Sequence, residues 1–219
     1  MSVPRLLLIN PNTSQGVTEK LAHHVRAAIG EAMAVEAVTA SIGAAYIDSE
    51  ASYAMATHAT LEAYTDAPGA PPDAVLVGCF GDPGVFAVRE VAKVPVIGLA
   101  EAAFIEGAAK GRFAIVTGGV RWAPILERFA RSLGYEENLA VITTLARSGA
   151  ELAADPDYAR ELLAQACAHA ASESGADCVI LGGAGLAGMA ADIAAQVRVP
   201  VIDSVLAGAR QIAALMRRD

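Results

Sequence analysis

Cys79 is the residue whose surroundings in the sequence most favour chemistry. It ends an apolar segment, residues 73–79, and the turn FGDPG and a short helical segment follow it. Backbone N–H groups and the positive end of a helix dipole stabilise a thiolate, so this position predicts a lowered pKa and a base or nucleophile. The alternative is a small buried hydrophobic residue, as free cysteines usually are. Cys167, on an apolar helix face, and Cys178, inside a strand, are expected in the core.

Polar and glycine residues follow other predicted strands at the equivalent place. They are Asn10, Pro11, Asn12, Thr13, Thr117, Gly118, Gly119 and residues 182–185. In open α/β sheets, ligands bind at the carboxyl ends of the strands. We therefore expect these residues to face one cleft.

Apolar runs and helical segments alternate along the whole chain. Buried strands are predicted at residues 5–10, 35–40, 73–79, 94–99, 112–117, 140–146, 177–183 and 199–203. Helices are predicted at about 15–30, 50–65, 85–92, 100–110, 121–134, 156–174, 187–197 and from 204 to the end. This alternation is typical of parallel sheets covered by helices and predicts an α/β fold.

The chain also contains an internal repeat. Residues 73–98 align with residues 177–203, sharing glycines and a VPVI segment, and the alignment places Gly183 opposite Cys79. Internal repeats indicate repeated architecture. We expect two pseudosymmetric parallel-sheet α/β halves with the active-site cleft between them. Residues 1–98 plus 204–219 are predicted to form the first half, and residues 99–203 the second.

A glycine pattern in the second half resembles a dinucleotide fingerprint. Gly183, Gly185 and Gly188 are followed about 20 residues later by Asp203. Only 16 residues follow Asp203, and the first half has Gly98 where an acidic residue would stand. We interpret these glycines as positions that let the backbone at a helix N-terminus approach a small anion or a carbonyl group closely. The four histidines lack metal-ligand spacing, so no metal is expected.

Composition argues against several classes of protein. The 219 residues carry a net charge of -8 and no basic run, which argues against binding to nucleic acid. No apolar run approaches the roughly 20 residues of a membrane span. Three cysteines without framework spacing argue against a disulfide scaffold and for a reducing compartment. A cytoplasmic enzyme is therefore expected.

Seven segments, in order along nearly the whole chain, carry a family resemblance. They are LLLINPNTS, IGAAYIDSE, VGCFGDPG, VPVIGLAEAA, IVTGG, VILGGAGLAG and VPVIDSV. Together they resemble the aspartate/glutamate/hydantoin racemase superfamily, and its hydantoin and allantoin racemase branch most. The resemblance implies a cofactor-independent racemase or epimerase, a small-molecule substrate such as a hydantoin or allantoin, and a homo-oligomer.

The resemblance also implies two catalytic cysteines on opposite faces of the substrate. One removes the proton next to a carbonyl and the other returns a proton to the other face. The first corresponds to Cys79, but the second corresponds to Gly183, which has no group that transfers a proton. Substrate contacts are expected from Asn10, Pro11, Asn12, Ser41, Ile47, Phe80, Thr117, Gly118, Gly119 and Ala184.

The glycine at position 183 leaves other functions open. One is a single-thiol decarboxylase or lyase that resembles arylmalonate decarboxylase, in which a cysteine in one half faces a glycine in the other. Another is a two-lobed module that binds or senses a small molecule, although a thiol at a strand end counts against it.

Overall fold

The computed structural model describes residues 3–217, and its first half contains one four-stranded sheet. The strands are β1 (Arg5–Asn10), β2 (Ala34–Thr39), β3 (Ala74–Val77) and β4 (Val96–Gly98). All are parallel, in the order β2-β1-β3-β4. The central strands β1 and β3 are almost wholly buried, which explains why their sequences are continuous apolar runs.

The second half contains a sheet of the same design. Its strands are β5 (Phe113–Gly118), β6 (Leu139–Leu145), β7 (Cys178–Gly182) and β8 (Val201–Asp203). They too are parallel, in the order β6-β5-β7-β8. The predicted α/β fold with two similar parallel-sheet halves is confirmed.

Helices connect the strands and cover the sheets. They are α1 (Gln15–Ile29), α2 (Glu50–Thr65), α3 (Val85–Val91), α4 (Leu99–Ala108), α5 (Trp122–Ser132), α6 (Gly149–Ala154), α7 (Pro156–Ser174), α8 (Met189–Ile193) and α9 (Ser204–Leu215). The bounds of α2 and α7 are those predicted. Helix α7 is delimited by local chemistry, since the Asp155 side chain caps its start and Gly175 ends it in the left-handed conformation.

Two helical segments differ from the prediction. The helix expected over residues 187–197 is wrong: only the short α8 forms, between 3₁₀ turns at Ala184–Leu186 and Ala194–Gln196. Gly188 precedes α8 with φ of 87°, a left-handed conformation that breaks a longer helix. Helix α6 was not predicted, although Ser148 and Glu151 form a capping box at its start.

The last helix packs back toward the first half. Helix α9 lies beside α1 and α4 and contacts β3 and β4. The division into residues 1–98 plus 204–219 and residues 99–203 stays a prediction. Residues 1, 2, 218 and 219 of that predicted first half lie outside the described residues.

Helix composition and the cysteines bear on where the protein functions. Across residues 3–217, no helix is long and apolar enough to cross a membrane. All three cysteines are free and buried. The homo-oligomer and the cytoplasmic location stay predictions.

An aromatic cluster joins the two halves into one core. Phe104 of α4 is fully buried and stacks on Phe113 of β5 with ring centroids 5.3 Å apart. Phe80, Phe129 and Tyr135 surround it at centroid distances of 6.0 to 6.2 Å. Such aromatic pairs stabilise beyond the apolar area that they bury. Because Phe80 belongs to the first half and Phe113 to the second, the cluster fixes one half against the other.

We expect Phe104→Ala to lower the free energy of unfolding by about 3–5 kcal/mol, since it leaves a cavity in this shared core. Phe86→Ala is the matched control: Phe86 is 49% exposed, and its truncation should cost less than about 1.5 kcal/mol. Urea denaturation followed by circular dichroism measures both. Equal losses in the two variants would contradict the role of the cluster.

Candidate active site

A small cavity lies where the carboxyl ends of the two sheets meet. Its volume is about 40 Å³, enough for a few water molecules, so it must widen to admit a ring-sized ligand. Loops after β1, β3, β5 and β7 form its wall, the position expected for a ligand in such sheets. The lining residues are Asn12, Val17, Tyr46, Ile47, Gly78, Cys79, Phe80, Thr117, Gly118, Trp122, Gly149, Gly182, Gly183, Ala184 and Gly185.

Most of the residues predicted from the sequence are brought together here. Those that line the cavity are Asn12, Ile47, Cys79, Phe80, Thr117, Gly118, Gly183 and Ala184. Those that lie outside its lining are Asn10, Pro11, Ser41 and Gly119. Both halves therefore contribute to one wall, while the substrate contacts of the individual residues stay predictions.

Asn10 lies outside the cavity lining and holds a lining residue, Asn12, in place by a hydrogen bond. It is fully buried, and its Nδ2 donates to Asn12 Oδ1 and to Thr18 Oγ1, each at 2.9 Å. Asn12 Oδ1 also accepts the Ser14 N–H at 2.9 Å. These bonds fix the Asn12 carboxamide at the cavity, and Pro11, also buried, lies between the two asparagines. Asn10 and Pro11 thus shape the site without lining it.

The loop after β2 contributes two side chains, but not the predicted serine. Ser41 is exposed, and its hydroxyl donates to Glu62 Oε1 at 2.9 Å, away from the cavity. Tyr46 and Ile47 reach the cavity instead. Ser41 follows the edge strand β2 by two residues and does not line the cavity, so its predicted substrate contact stays a prediction.

Gly119 acts through a neighbour rather than by lining the cavity. Its φ of 97° turns the chain after β5, and its N–H donates to Leu145 O at 2.9 Å. Trp122 follows at the start of α5 and lines the cavity. A positive φ favours glycine, so Gly119 allows the turn that places the indole ring.

Cys79 lies at the cavity, in a turn over residues 79–84 that we call the thiol turn. Its side chain is 8% exposed, and burial, together with the nearby charge of Asp82, raises the pKa of the thiol well above its ordinary value. The lowered pKa expected from the sequence is therefore wrong for the free protein. Helix α3 begins only at Val85, so the thiol turn separates Cys79 from the helix N-terminus.

Gly183 lies in the second half of the cavity wall, at the end of β7. A β-carbon there would lie 3.6 Å from the Leu186 side chain and 4.0 Å from Thr117 Oγ1, so the position has room for a side chain. Its φ of 136° is nevertheless a conformation that other residues rarely adopt. The wall opposite the thiol turn thus has neither a thiol nor another acid at this position.

Another glycine lets the two halves approach closely. A β-carbon at Gly182 would collide with the ring of Phe80. Phe80 follows Cys79 in the thiol turn, so an aromatic ring of the first half packs directly on the backbone of β7.

Val17, Gly78 and Gly149 are lining residues to which the sequence did not point. Val17 lies in the first turn of α1, and Gly149 begins the unpredicted helix α6. A β-carbon at Gly149 would collide with the hydroxyl of Tyr46, so this glycine adjoins the tyrosine wall. The capping sequence SGAE at residues 148–151 was the signal that would have located Gly149.

The cavity wall is uncharged. None of the lining residues in the described part of the chain is Asp, Glu, Lys, Arg or His, and Cys79 and Tyr46 are the lining residues with an ionisable side chain. Within the same residues, no cluster of three His, Cys, Asp or Glu side chains could hold a metal ion. The site therefore suits a neutral ligand better than a charged one.

Asp203, the acidic residue of the dinucleotide-like pattern, has a structural role. Its carboxylate accepts the N–H groups of Val205 and Leu206 at 2.9 and 3.1 Å, and that of Gly188 at 2.7 Å. These bonds cap α9 and hold the loop over residues 182–188, which we call the glycine loop. Both oxygens of the carboxylate therefore already accept backbone hydrogen bonds, whereas a dinucleotide site would need the carboxylate to bind a ribose hydroxyl.

The chain matches the Asp/Glu/hydantoin racemase family over residues 6–212. It belongs to that family. The hydantoin racemase of Paenarthrobacter aurescens is 36% identical over 208 residues, which cover 94% of this chain and 88% of the relative. The allantoin racemase from Klebsiella pneumoniae has a TM-score of 0.89 at 30% identity, covering 98% of this chain and 88% of that chain. Because the chain belongs to a racemase family and its relatives are named as racemases, it is an isomerase.

A more distant likeness concerns the fold of the family alone. Unliganded arylmalonate decarboxylase has a TM-score of 0.63 at 19% identity, covering 96% of this chain and 92% of that chain. A protein named for a different reaction therefore shares this fold. The fold alone does not identify the reaction, so function has to be argued from the residues of the site.

We expect the Cys79 thiol of the free protein to be unreactive near neutral pH, because burial raises its pKa. Iodoacetamide should alkylate it at least about tenfold more slowly at pH 7.5 than in the urea-unfolded chain, and the rate should still rise at pH 9.5. Mass spectrometry of the peptide that contains Cys79 measures the rate. A plateau reached near pH 7 would instead indicate the lowered pKa that the sequence suggested.

Proposed function

We propose that this protein catalyses proton transfer at an acidic carbon next to a carbonyl in a small cyclic amide of the hydantoin or allantoin type. The observation that carries the proposal is the single thiol, Cys79, at a cavity between the halves of a racemase-family fold. The thiolate of Cys79 acts as the base. The names of the hydantoin and allantoin racemases to which the chain is similar support this substrate class.

The uncharged wall supports a neutral substrate. A free amino acid brings an ammonium and a carboxylate group, and burying either without a charged or hydrogen-bonded partner is costly. A hydantoin ring brings amide N–H and carbonyl groups instead. Asn12 and Thr117 offer a carboxamide and a hydroxyl at the cavity for such groups. Tyr46 and Trp122 offer aromatic surface for the substituent on the ring.

The reaction needs a poorly solvated thiolate, because such a thiolate is a stronger base. Cys79 holds its proton in the free protein, and the minor thiolate form is a strong base because burial destabilises it. The thiolate takes the proton from the carbon, the C–H electron pair moves into the carbonyl group, and the charge comes to rest on the enolate oxygen. Main-chain N–H groups of the strand-end loops stabilise that oxygen in the manner of an oxyanion hole. The thiol then exchanges its proton with water in the cavity, and transfer of the exchanged proton from the thiol to carbon closes the cycle.

The glycine loop gives this chemistry a preferred face. Cys79 reaches the substrate from the first half, and Gly183 offers no proton on the opposite face. Return by Cys79 restores the configuration that was bound, whereas inversion requires a proton from water or another side chain. We therefore infer that proton exchange in one enantiomer is faster than its inversion.

A single-thiol decarboxylase is the second candidate, and the combination of Cys79 with Gly183 favours it. Loss of carbon dioxide from a disubstituted malonate leaves the same type of enolate, which needs one proton donor on one face. The neutral Cys79 thiol suits that donor role. The uncharged wall argues against it, since a malonate brings two carboxylates.

Exchange in deuterium oxide tests the proposed function. Single enantiomers of a 5-alkylhydantoin should lose the C5–H signal in proton NMR with the wild-type protein, and Cys79→Ser should lower the rate by at least about 100-fold, since proton transfer by a positioned group contributes about 10²–10⁴-fold. Cys178→Ala is the matched control: this thiol begins β7, away from the cavity, and its removal should leave the rate within a few-fold.

Three results would contradict the proposal. Exchange that persists in Cys79→Ser would remove the thiol from the mechanism. Exchange in free glutamate or aspartate but not in hydantoins would contradict the substrate class. Carbon dioxide release from a disubstituted malonate, without hydantoin exchange, would select the decarboxylase.

We expect Gly183→Cys to increase the ratio of inversion to exchange, because it adds a thiol on the face that lacks one. Chiral chromatography and NMR on the same samples measure this ratio. The φ of 136° makes the substitution strained, so the variant should lose about 1–3 kcal/mol of stability. Gly183→Ser is the control with the same strain and no thiol, and it should leave the ratio unchanged. An equal rise in both variants would contradict the one-face mechanism.

A further inference from the structure

Asp82 is a buried carboxylate in the thiol turn that the proposed mechanism does not use. It is fully buried, and its backbone has φ of 54°, the left-handed conformation that aspartate tolerates better than most residues. Its N–H donates to Cys79 O at 3.1 Å, and its own carbonyl accepts the Val85 N–H at 3.1 Å. The residue therefore connects the cysteine to the start of α3.

The side chain of Asp82 fastens this turn to a second helix. Its two carboxylate oxygens accept the N–H groups of Ala100 and Glu101, both at 2.8 Å, in the first turn of α4. A β-carbon at Gly98 would collide with the carboxyl group, so the glycine that precedes α4 leaves the space in which Asp82 lies. Free N–H groups at a helix start favour a carboxylate there.

The second half contains an equivalent link between a loop and a helix, but there the carboxylate lies at the start of the helix and not in the loop. Asp203 occupies the position of Gly98 in the internal repeat, caps α9 with its carboxylate and accepts the N–H of Gly188 in the glycine loop. Each half thus uses one carboxylate to join a strand-end loop to the following helix. In the first half the carboxylate belongs to the loop that carries the thiol, whereas in the second it belongs to the helix.

Charged and titratable groups from the neighbouring helices surround Asp82. Glu101 of α4 opposes its ionisation and Arg89 of α3 favours it, and these two side chains form an ion pair with each other. The phenol of Tyr53, on α2, also interacts with the charges of Asp82 and Cys79. Burial dominates and raises the pKa of Asp82 to about 8. Its charge therefore varies over the pH range in which a thiol base is tested.

We propose that Asp82 is a positioning residue, which fixes the thiol turn on the first turn of α4 and, in its ionised form, places a negative charge beside Cys79. The proposal rests on the proposed function of Cys79 as the base. The charge makes the thiolate harder to form and a stronger base once formed, since a like charge nearby disfavours ionisation. Asp82 therefore sets the strength of the base in addition to its position.

Alkylation of Cys79 in the variant Asp82→Asn tests this proposal. The carboxamide keeps the size of the side chain but removes its charge. Iodoacetamide should alkylate Cys79 about tenfold faster at pH 8.5 than in the wild type, and the pH dependence of the rate should move to lower pH. Peptide mass spectrometry follows the three cysteines separately, so unchanged rates at buried Cys167 and Cys178 exclude a general loosening of the fold.

Asp203→Asn is the matched control, because it weakens the equivalent link in the other half. It should leave the pH dependence of Cys79 alkylation unchanged. Should Asp82→Asn not fold, Asp82→Ser, with a shorter neutral acceptor, replaces it. An unshifted pH dependence in a folded Asp82 variant, or an equal shift in Asp203→Asn, would overturn the proposal. The measurement uses no substrate, so its failure is separate from a failure of hydantoin exchange.

Discussion

The burial of the Cys79 thiol is the physical constraint on which this site depends. Strands β3 and β7 end on opposite sides of one small cavity, and Phe80 packs on the backbone of Gly182 between them. Because little of Cys79 is exposed to solvent, burial raises the pKa of the thiol and favours its neutral form in the free protein. Because burial disfavours the thiolate, a thiolate that does form is a stronger base. A strong base is needed to remove the weakly acidic proton from a carbon next to a carbonyl.

Small residues make this arrangement sterically feasible. Gly98 leaves space for the Asp82 carboxyl group, Gly149 for the Tyr46 hydroxyl and Gly182 for the Phe80 ring. Each glycine lies at the end of a strand or the start of a helix, where a side chain would separate the elements that form the cavity. Gly183 adds no side chain to the second wall, so Cys79 is the one thiol among the residues that line the cavity in the described part of the chain.

Much of this architecture could be predicted from the sequence, because buried parallel strands are continuous apolar runs and the repeat exposed the two halves. The cavity position followed from the rule that ligands bind at strand ends, and it brought Asn12, Cys79 and Thr117 together. The acidity of Cys79 could not be predicted, since it depends on burial and on a carboxylate whose contacts lie 18 and 19 residues away. The outward course of Ser41 and the broken helix after Gly188 likewise depend on tertiary geometry.

The ratio of deuterium exchange to inversion in the wild-type protein tests the central claim most directly. Each enantiomer of a 5-alkylhydantoin is incubated in deuterium oxide, and NMR and chiral chromatography are applied to the same samples. The proposed single base predicts exchange with retention in one enantiomer, at a rate at least about tenfold above its inversion, since the transfer that inverts lacks a positioned acid. Inversion that accompanies every exchange event, at equal rates from both enantiomers, would contradict the account.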